Sequence, residues 1–164
     1  MKKILLAILI AIPMLAVAQA PKFGVVNTQN IIQDLPDVKA AQEQVAASSK
    51  KYEEEFKKLQ DEMGKKYSEF QALAADTPES IKERRLQEIQ ELDQKMVQFQ
   101  ETANQDLQRQ NQTLMAPIQE KVRQAIDAVG KEQSMTFIFE NYLPLYVGAD
   151  VVDLTSIVRT KLGI

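Results

Sequence analysis

The chain has 164 residues, of which 20 are Lys or Arg and 23 are Asp or Glu, and it contains no His, no Cys and no Trp. This length suits one domain with an appendage rather than a two-domain enzyme. The absence of His and Cys excludes a Ser-His-Asp triad, a His/Cys zinc site, haem or iron–sulfur ligation and any disulfide. A general base would have to be Asp, Glu, Lys or Tyr. We therefore expect a protein that is not an enzyme and that has no cofactor or metal.

The N-terminal segment has the layout of a secretory signal peptide. Lys2 and Lys3 precede an apolar run over 4–17, and small residues follow at its end. The run is shorter than the roughly 20 residues that cross a bilayer; an uncleaved anchor is the alternative. Cleavage after Ala20 would place Pro21 immediately after the scissile bond, which is unfavourable. We therefore predict that residues 1–18 are removed and that the protein is exported.

The exported part is mildly acidic. Removing residues 1–18 takes away two of the 20 basic residues and no acidic residue, so the net charge changes from −3 to −5. Nucleic-acid binding needs clustered Lys and Arg to neutralise phosphates. We therefore expect no nucleic-acid partner.

The first predicted element of the exported chain is a strand. Residues 23–28, Phe-Gly-Val-Val-Asn-Thr, form an apolar, β-branched run of strand length. A short helix is predicted over 29–35, and Pro36 and Asp37 close it. This segment is followed by a change to helical composition.

Residues 38–131 are rich in Ala, Glu, Gln, Lys and Leu, which is typical of long helices. Over 38–73 apolar or small residues recur at a mean spacing of 3.5, since ten steps span 35 residues. That spacing predicts a coiled-coil seam. The predicted seam of the outgoing helix is Val38, Ala41, Val45, Ser48, Tyr52, Phe56, Leu59, Met63, Tyr67, Phe70 and Leu73. The predicted seam of the returning helix is Leu86, Ile89, Met96, Phe99, Ala103, Leu107, Leu114, Ile118, Val122, Ala125 and Val129.

The helical pattern breaks once, at 75–79, which predicts a hairpin tip near 76–78. Pro78 disfavours helical geometry in Thr77. It also suits the first position of a new helix, which Thr77 or Asp76 would cap. Two long helices joined by a tight turn make an antiparallel αα-hairpin, which we call the arm.

The two helices of the arm match in length. The outgoing helix, predicted over 38–75, would be about 57 Å long at 1.5 Å per residue. The same number of residues counted from Glu79 ends next to Pro117. Because a proline inside a helix kinks it, we predict a kink where the returning helix reaches the base of the arm.

The C-terminal part returns to β character. Strands are predicted at 135–139 and 145–147, with a shorter one at 151–153. Thr155 is predicted to cap a final amphipathic helix, which Gly163 ends.

The two ends of the exported chain, residues 19–37 and 132–164, are therefore predicted to form a small β-rich body from which the arm, residues 38–131, projects. Such a body buries too little surface to be stable alone. We therefore expect the chain to oligomerise.

Over essentially the whole exported part, the sequence resembles the Skp/OmpH family of periplasmic chaperones. The resemblance lies in the first strand and the entry into the arm, the base of the returning helix, the last strands and the terminal helix. The residues that carry it are 24–29, Ile32, Pro36, 39–42, Pro117, Ile118, 125–126, 137–139, 145–147, 153–155, Val158 and Leu162.

The resemblance implies an α+β fold that is mostly α, with a small β-barrel body shared in a homotrimer and one long antiparallel coiled-coil α-hairpin arm per chain. It also implies an ATP-independent holdase of the periplasm, which holds unfolded outer-membrane proteins in a cavity between the arms and prevents their aggregation. Familiar members are strongly basic whereas this chain is acidic. We therefore do not expect this chain to share the binding of lipopolysaccharide or of a membrane surface with those members.

Two sets of residues are candidates for contacts with other chains. The first lies on the distal arm, near the tip, and is expected to bind clients: Tyr67, Phe70, Leu73, Lys82, Arg84 and Arg85. The second is expected to form the trimer body or its interface: Phe23, Val25, Ile32, Phe137, Phe139, Tyr146, Leu154 and Val158.

The arm surface and the hairpin also have other interpretations. The run 53–55, three Glu among lysines, could steer clients or bind a cation. It could equally be a solvated helix face with the pairs Glu53–Lys57 and Glu54–Lys58. A structural coiled-coil spacer of the envelope would share the hairpin without binding clients. An efflux adaptor would share it too, but its hairpin should be flanked by larger β domains than this chain offers.

Overall fold

The computed structural model describes residues 20–164, so the predicted signal peptide, residues 1–18, lies outside the described residues. The described chain is mostly helical and contains a small sheet, which agrees with the predicted fold class. The elements in chain order are β1 (Phe23–Val26), α1 (Thr28–Asp34), α2 (Pro36–Gln71), α3 (Glu79–Glu132), β2 (Phe137–Glu140), β3 (Val152–Asp153) and α4 (Thr155–Leu162).

The sheet joins the two ends of the described chain. Its strand order is β2-β1-β3, and β1 runs parallel to both neighbours. Phe23 pairs with Phe137, and Gly24 pairs with both Ile138 and Val152. Parallel neighbours need a crossover connection, and the whole arm provides it between β1 and β2. Within one chain the sheet is open and three-stranded, so the closed barrel expected for the body is not formed by a single chain.

The strands differ from the predicted ones at two places. The predicted strand at 135–139 is displaced to Phe137–Glu140, and the predicted strand at 145–147 is absent, since that segment is irregular. Pro144 has no N–H to give to a ladder, and Gly148 interrupts the apolar run on the other side. The short strand predicted at 151–153 is present as β3.

The arm consists of α2 and α3, which pack along each other. Pro36 occupies the first turn of α2, where its missing N–H costs nothing. At 36 residues α2 is about 54 Å long. It ends at Gln71, four residues before the predicted end at Ala75. α3 continues through Pro117 as one helix of 54 residues.

The predicted caps of α3, Thr77 or Asp76, and of α4, Thr155, are both wrong. Pro78 itself is the N-cap of α3, and no side chain caps that end. Because Pro78 is extended and its carbonyl accepts the first helical hydrogen bonds, Thr77 lies one residue too early to cap. Leu154 is the N-cap of α4, and the Thr155 hydroxyl instead accepts a hydrogen bond from the Asn27 N–H at 3.0 Å.

The seam between α2 and α3 follows most of the predicted positions but shifts near the tip. Leu86 was predicted to lie on the seam, yet it is 45% exposed, whereas Leu92, which was not predicted, is buried. The inward positions there are 85, 89, 92 and 96, so Leu86 is one residue off the inward face. Tyr67 is likewise 49% exposed rather than packed in the seam.

The core lies at the junction of the arm and the sheet. Its most deeply buried side chains come from α1, the α1–α2 junction, α3, the segment before α4, and α4 itself. They are Ile31, Leu35, Val129, Leu154 and Val158. An ion pair of 2.5 Å between Arg159 and Asp34 fastens α4 to α1, and Lys161 is paired with Glu132 of α3. The terminal helix is thus held by apolar packing and by charges on two sides. Gly163 ends it as predicted, in a left-handed conformation.

Candidate functional site

The distal arm carries the predicted client-binding residues in different environments. Phe70 and Leu73 are half-buried, whereas Tyr67 is substantially exposed. The end of α2 and the residues just after it therefore present one large aromatic side chain to solvent and keep the other two apolar residues partly covered.

The basic residues near the tip are paired with acidic neighbours. Glu88 accepts hydrogen bonds from Lys66 and from Arg85, both at 3.0 Å, and Arg84 lies 3.7 Å from the same carboxylate. The hydrogen bond from Lys66, followed by that from Arg85, lowers the pKa of Glu88. Lys82 donates to the Ala75 carbonyl at 3.4 Å. The structure thus brings Arg84 and Arg85 together at one carboxylate, and neither presents an isolated positive charge.

The acidic run in the middle of α2 is also arranged differently from the prediction. Of the two predicted pairs, neither Glu53–Lys57 nor Glu54–Lys58 is formed; Lys58 is paired with Glu55 at 2.5 Å instead. In the described chain, residues 20–164, acidic residues form no cluster of three or more that could hold a metal ion. All three glutamates of the run are exposed on α2.

An aromatic cluster occupies the middle of the arm. Phe99 of α3 packs edge-on against Tyr52 and face-on against Phe56, with ring centroids 5.9 and 6.4 Å apart. The Tyr52 hydroxyl donates a hydrogen bond of 2.9 Å to Asp106, and that bond is the main reason why the pKa of Tyr52 is raised. These residues join the two helices at mid-length.

A cleft of about 210 Å³ opens beside these rings. We call it the mid-arm cleft. It is lined by Ser49, Tyr52, Glu53, Phe56, Phe99, Gln100, Ala103, Asn104 and Leu107. The seam pattern placed the aromatic residues in the packing but did not predict the cleft. The signal that could have found it is Ala103, a small residue at a seam position among large rings.

The body carries an exposed apolar surface. Phe137 is stacked between Phe23 and Phe139, with centroid distances of 6.2 and 5.9 Å. Beside the stack lies an apolar cavity of about 530 Å³. It is lined by Phe23, Phe139, Leu143, Pro144, Tyr146, Val147 and Val151. Contiguous apolar surfaces of this kind mark sites where another molecule binds.

The predicted body residues divide into two groups. Phe23, Phe137, Phe139 and Tyr146 are exposed, and Tyr146 is 84% exposed. Of the remaining four, Val25, Leu154 and Val158 are buried within one chain, and Ile32 is partly buried against the core.

Among the described residues no helix is both long enough and apolar enough to cross a membrane.

Comparison with known proteins gives two findings. The sequence profile of the family described as outer membrane protein (OmpH-like) matches residues 22–162. The structure is also similar to a crystal structure described as a candidate OmpH-like outer membrane chaperone from Caulobacter crescentus CB15. The TM-score is 0.74 and the sequence identity 10%, covering 87% of this chain and 84% of that chain. At this identity the likeness shows the fold. No protein of curated function matches the sequence significantly.

Proposed function

The chain belongs to the OmpH-like outer membrane protein family, and on this premise we propose that it is an ATP-independent holdase of the periplasm. It binds unfolded outer-membrane proteins between helical arms and prevents their aggregation. The observation that supports this most is the contrast between a body with an exposed aromatic surface and a long arm whose two helices pack along each other. The predicted signal peptide supports the location.

The holding unit is a homotrimer. The open sheet of one chain leaves strand edges unpaired, and unpaired edges invite pairing with another chain. The stack of Phe23, Phe137 and Phe139 and the neighbouring apolar cavity are exposed in a single chain. Association of three bodies would cover this surface and allow the three sheets to close into one barrel. The three arms would then surround a common cavity.

The arms act by many weak contacts rather than by chemistry. Their surface mixes exposed charges with amides, and the charges near the tip are already paired within the chain. A client held by such a wall keeps its conformational freedom, while other unfolded chains cannot reach it. No nucleotide is needed, since release follows from the weakness of each contact.

The test is the refolding of a urea-denatured β-barrel membrane protein by dilution, with light scattering as the readout. Stoichiometric trimer should suppress the scattering, and a monomeric coiled-coil protein of similar length serves as the control. Unchanged aggregation in the presence of the trimer would contradict the holdase function.

A second candidate function is a structural spacer of the cell envelope. The pairing of the tip cations at Glu88 favours it, because such a surface has little excess charge with which to attract a client. A spacer would assemble as proposed but would show no change in mass or scattering on addition of an unfolded membrane protein. The same refolding experiment therefore separates the two.

A further inference from the structure

We propose that the mid-arm cleft is a binding pocket for one aromatic or large aliphatic side chain of an unfolded client, and that it prefers a side chain flanked by Arg or Lys. The proposal rests on the holdase function and names a contact within it. It concerns the middle of the arm, between the body and the predicted client-binding residues near the tip.

The size and lining of the cleft select the ligand class. At about 210 Å³ it is smaller than the roughly 300–1,000 Å³ of pockets for drug-sized molecules. Its floor consists of Phe56, Phe99 and Leu107, all half-buried. An apolar side chain that enters would remove these carbon surfaces from water, and an aromatic one could stack on the rings already present.

A hydrogen bond connects the two helices next to the floor of the cleft. The hydrogen bond between Tyr52 and Asp106 joins α2 to α3 beside the rings, and Arg109 is paired with the same carboxylate. The cleft therefore exists before a client arrives, and filling it does not require the two helices to separate. Preformed pockets bind with a smaller loss of conformational entropy.

The rim of the cleft determines which client segments fit. Gln100 and Asn104 of α3 carry amides that can donate to and accept from the backbone of an extended chain. Glu53 is the one charged residue among the nine that line the cleft in the described structure, and the Ser49 hydroxyl donates to its carboxylate at 3.2 Å. A single carboxylate at the mouth favours a cation next to the inserted side chain and opposes an anion.

The experiment uses the absence of Trp from this chain. A short blocked peptide, Gly-Ser-Arg-Trp-Arg-Ser-Gly, carries the single Trp of the mixture, so its emission reports its surroundings alone. With the full exported protein, the Trp emission should shift to shorter wavelength on binding. The peptide with Asp in place of both Arg residues should bind at least about threefold more weakly.

Two pairs of variants make the test specific. Asn104→Phe should close the cleft and abolish the emission shift. Asn111→Phe makes the same change two turns further along the exposed surface of α3, away from the cleft, and should leave the shift intact. Glu53→Gln should remove the preference for the Arg peptide, whereas Glu54→Gln, next to it but outside the lining, should keep it. Helical circular dichroism and oligomer mass should stay unchanged in all four.

Equal binding of the Arg and Asp peptides, or an emission shift that survives Asn104→Phe in a folded protein, would overturn the proposal. So would the lack of any shift with the wild-type protein, even if that protein suppresses aggregation of a denatured β-barrel protein. A wild-type protein that binds the peptide specifically but does not suppress aggregation would instead contradict the holdase function, and the binding pocket would be supported.

Discussion

At the scale of single residues, the two glycines 24 and 64 stand in opposite environments. A Cβ on Gly24 would lie 2.7 Å from Leu154 Cδ1, and Leu154 is fully buried and cannot easily move away. A Cβ on Gly64, inside α2, would meet nothing within 4 Å. The first glycine is required by the close approach of β1 to the segment before α4, whereas the second only weakens a helix.

Substitution by Ala should therefore change stability in opposite directions. We expect Gly24→Ala to lower the free energy of unfolding by about 1–3 kcal/mol, as overpacking does. Gly64→Ala should raise it by about 0.5–1 kcal/mol, the difference in helix propensity. Urea denaturation at one fixed protein concentration measures both. Two shifts of the same sign would contradict this account of the packing around Leu154.

A second residue-scale feature is the carboxylate of Glu120 on α3. Two hydrogen bonds of 2.7 Å from Arg123, and a further one from Gln124, lower the pKa of Glu120 from 4.5 to about 2. Because the folded pKa is below that of the unfolded chain, the stabilisation is complete above pH 4.5 and is lost as the pH falls towards 2.

We therefore expect the pKa of Glu120 to move back towards 4.5 in Arg123→Gln, though not to reach it while Gln124 still donates. Lys121→Gln is the control, because Lys121 is adjacent in sequence but is paired with Asp37. Titration of the side-chain carboxyl carbon by NMR measures the value. A pKa near 4.5 in the wild-type protein would show that the Arg123 pair is not formed in solution.

At the scale of elements, the spacing of apolar residues predicted both long helices, because one periodic stripe had to face one partner. The same pattern did not define the residues at which the helices begin and end. Pro78 is the N-cap of α3, where Thr77 or Asp76 was expected, and Leu86 lies one residue outside the seam. The segment at Leu145 has strand composition but no strand, since pairing depends on a neighbouring edge that sequence alone does not reveal.

The candidate site was less predictable than the helices. The cations near the tip were identified by their charge, yet their partner Glu88 was not, although it lies three residues after Arg85 and four after Arg84 in the same helix. The further pair of Glu88 with Lys66 crosses from one helix to the other, and sequence spacing does not reveal it. The mid-arm cleft depends on the gap that Ala103 leaves among rings from both helices. Such gaps follow from the exact register of α2 on α3, which a mean spacing of 3.5 does not define.

Proline gives an element-scale prediction, since the arm has one at the start of α2 and one inside α3. Pro117 cannot donate to the carbonyl four residues earlier, which costs a helix about 3 kcal/mol. Replacing Pro117 therefore increases the stability of the helix, but the unfolded chain also gains conformational entropy, which offsets part of this increase. We expect Pro117→Ala to raise the free energy of unfolding by about 1–2 kcal/mol.

Pro36→Ala provides the matched control for the same measurement. Pro36 occupies the first turn of α2, where no hydrogen bond is lost. Its replacement should leave stability unchanged or lower it slightly. Equal gains from both substitutions in urea denaturation would mean that the helix does not continue through Pro117 as one unit.

At the scale of the whole molecule, the burial of apolar side chains is uneven. The core at the junction of arm and sheet is closed, with Ile31, Leu154 and Val158 fully buried, while the aromatic face of the body and the loop beside it are open. A body that closes one apolar core but leaves an adjoining apolar surface open has a surface suited to a second copy. This is why assembly, and not the single chain, is expected to set the stability of the body.

The loop over 142–147 provides the sharpest test of that assembly, because it holds two exposed tyrosines. Tyr146 is 84% exposed and lines the apolar cavity of the body, whereas Tyr142 is 71% exposed and lies outside the lining. An aromatic side chain at the centre of an interface contributes about 2 kcal/mol or more. We expect Tyr146→Ser to raise the concentration at which trimers dissociate by more than about tenfold, and Tyr142→Ser to have little effect. Light scattering over a dilution series measures the mass of each. Equal dissociation of the two variants, or a wild-type protein that stays monomeric at high concentration, would refute the shared body.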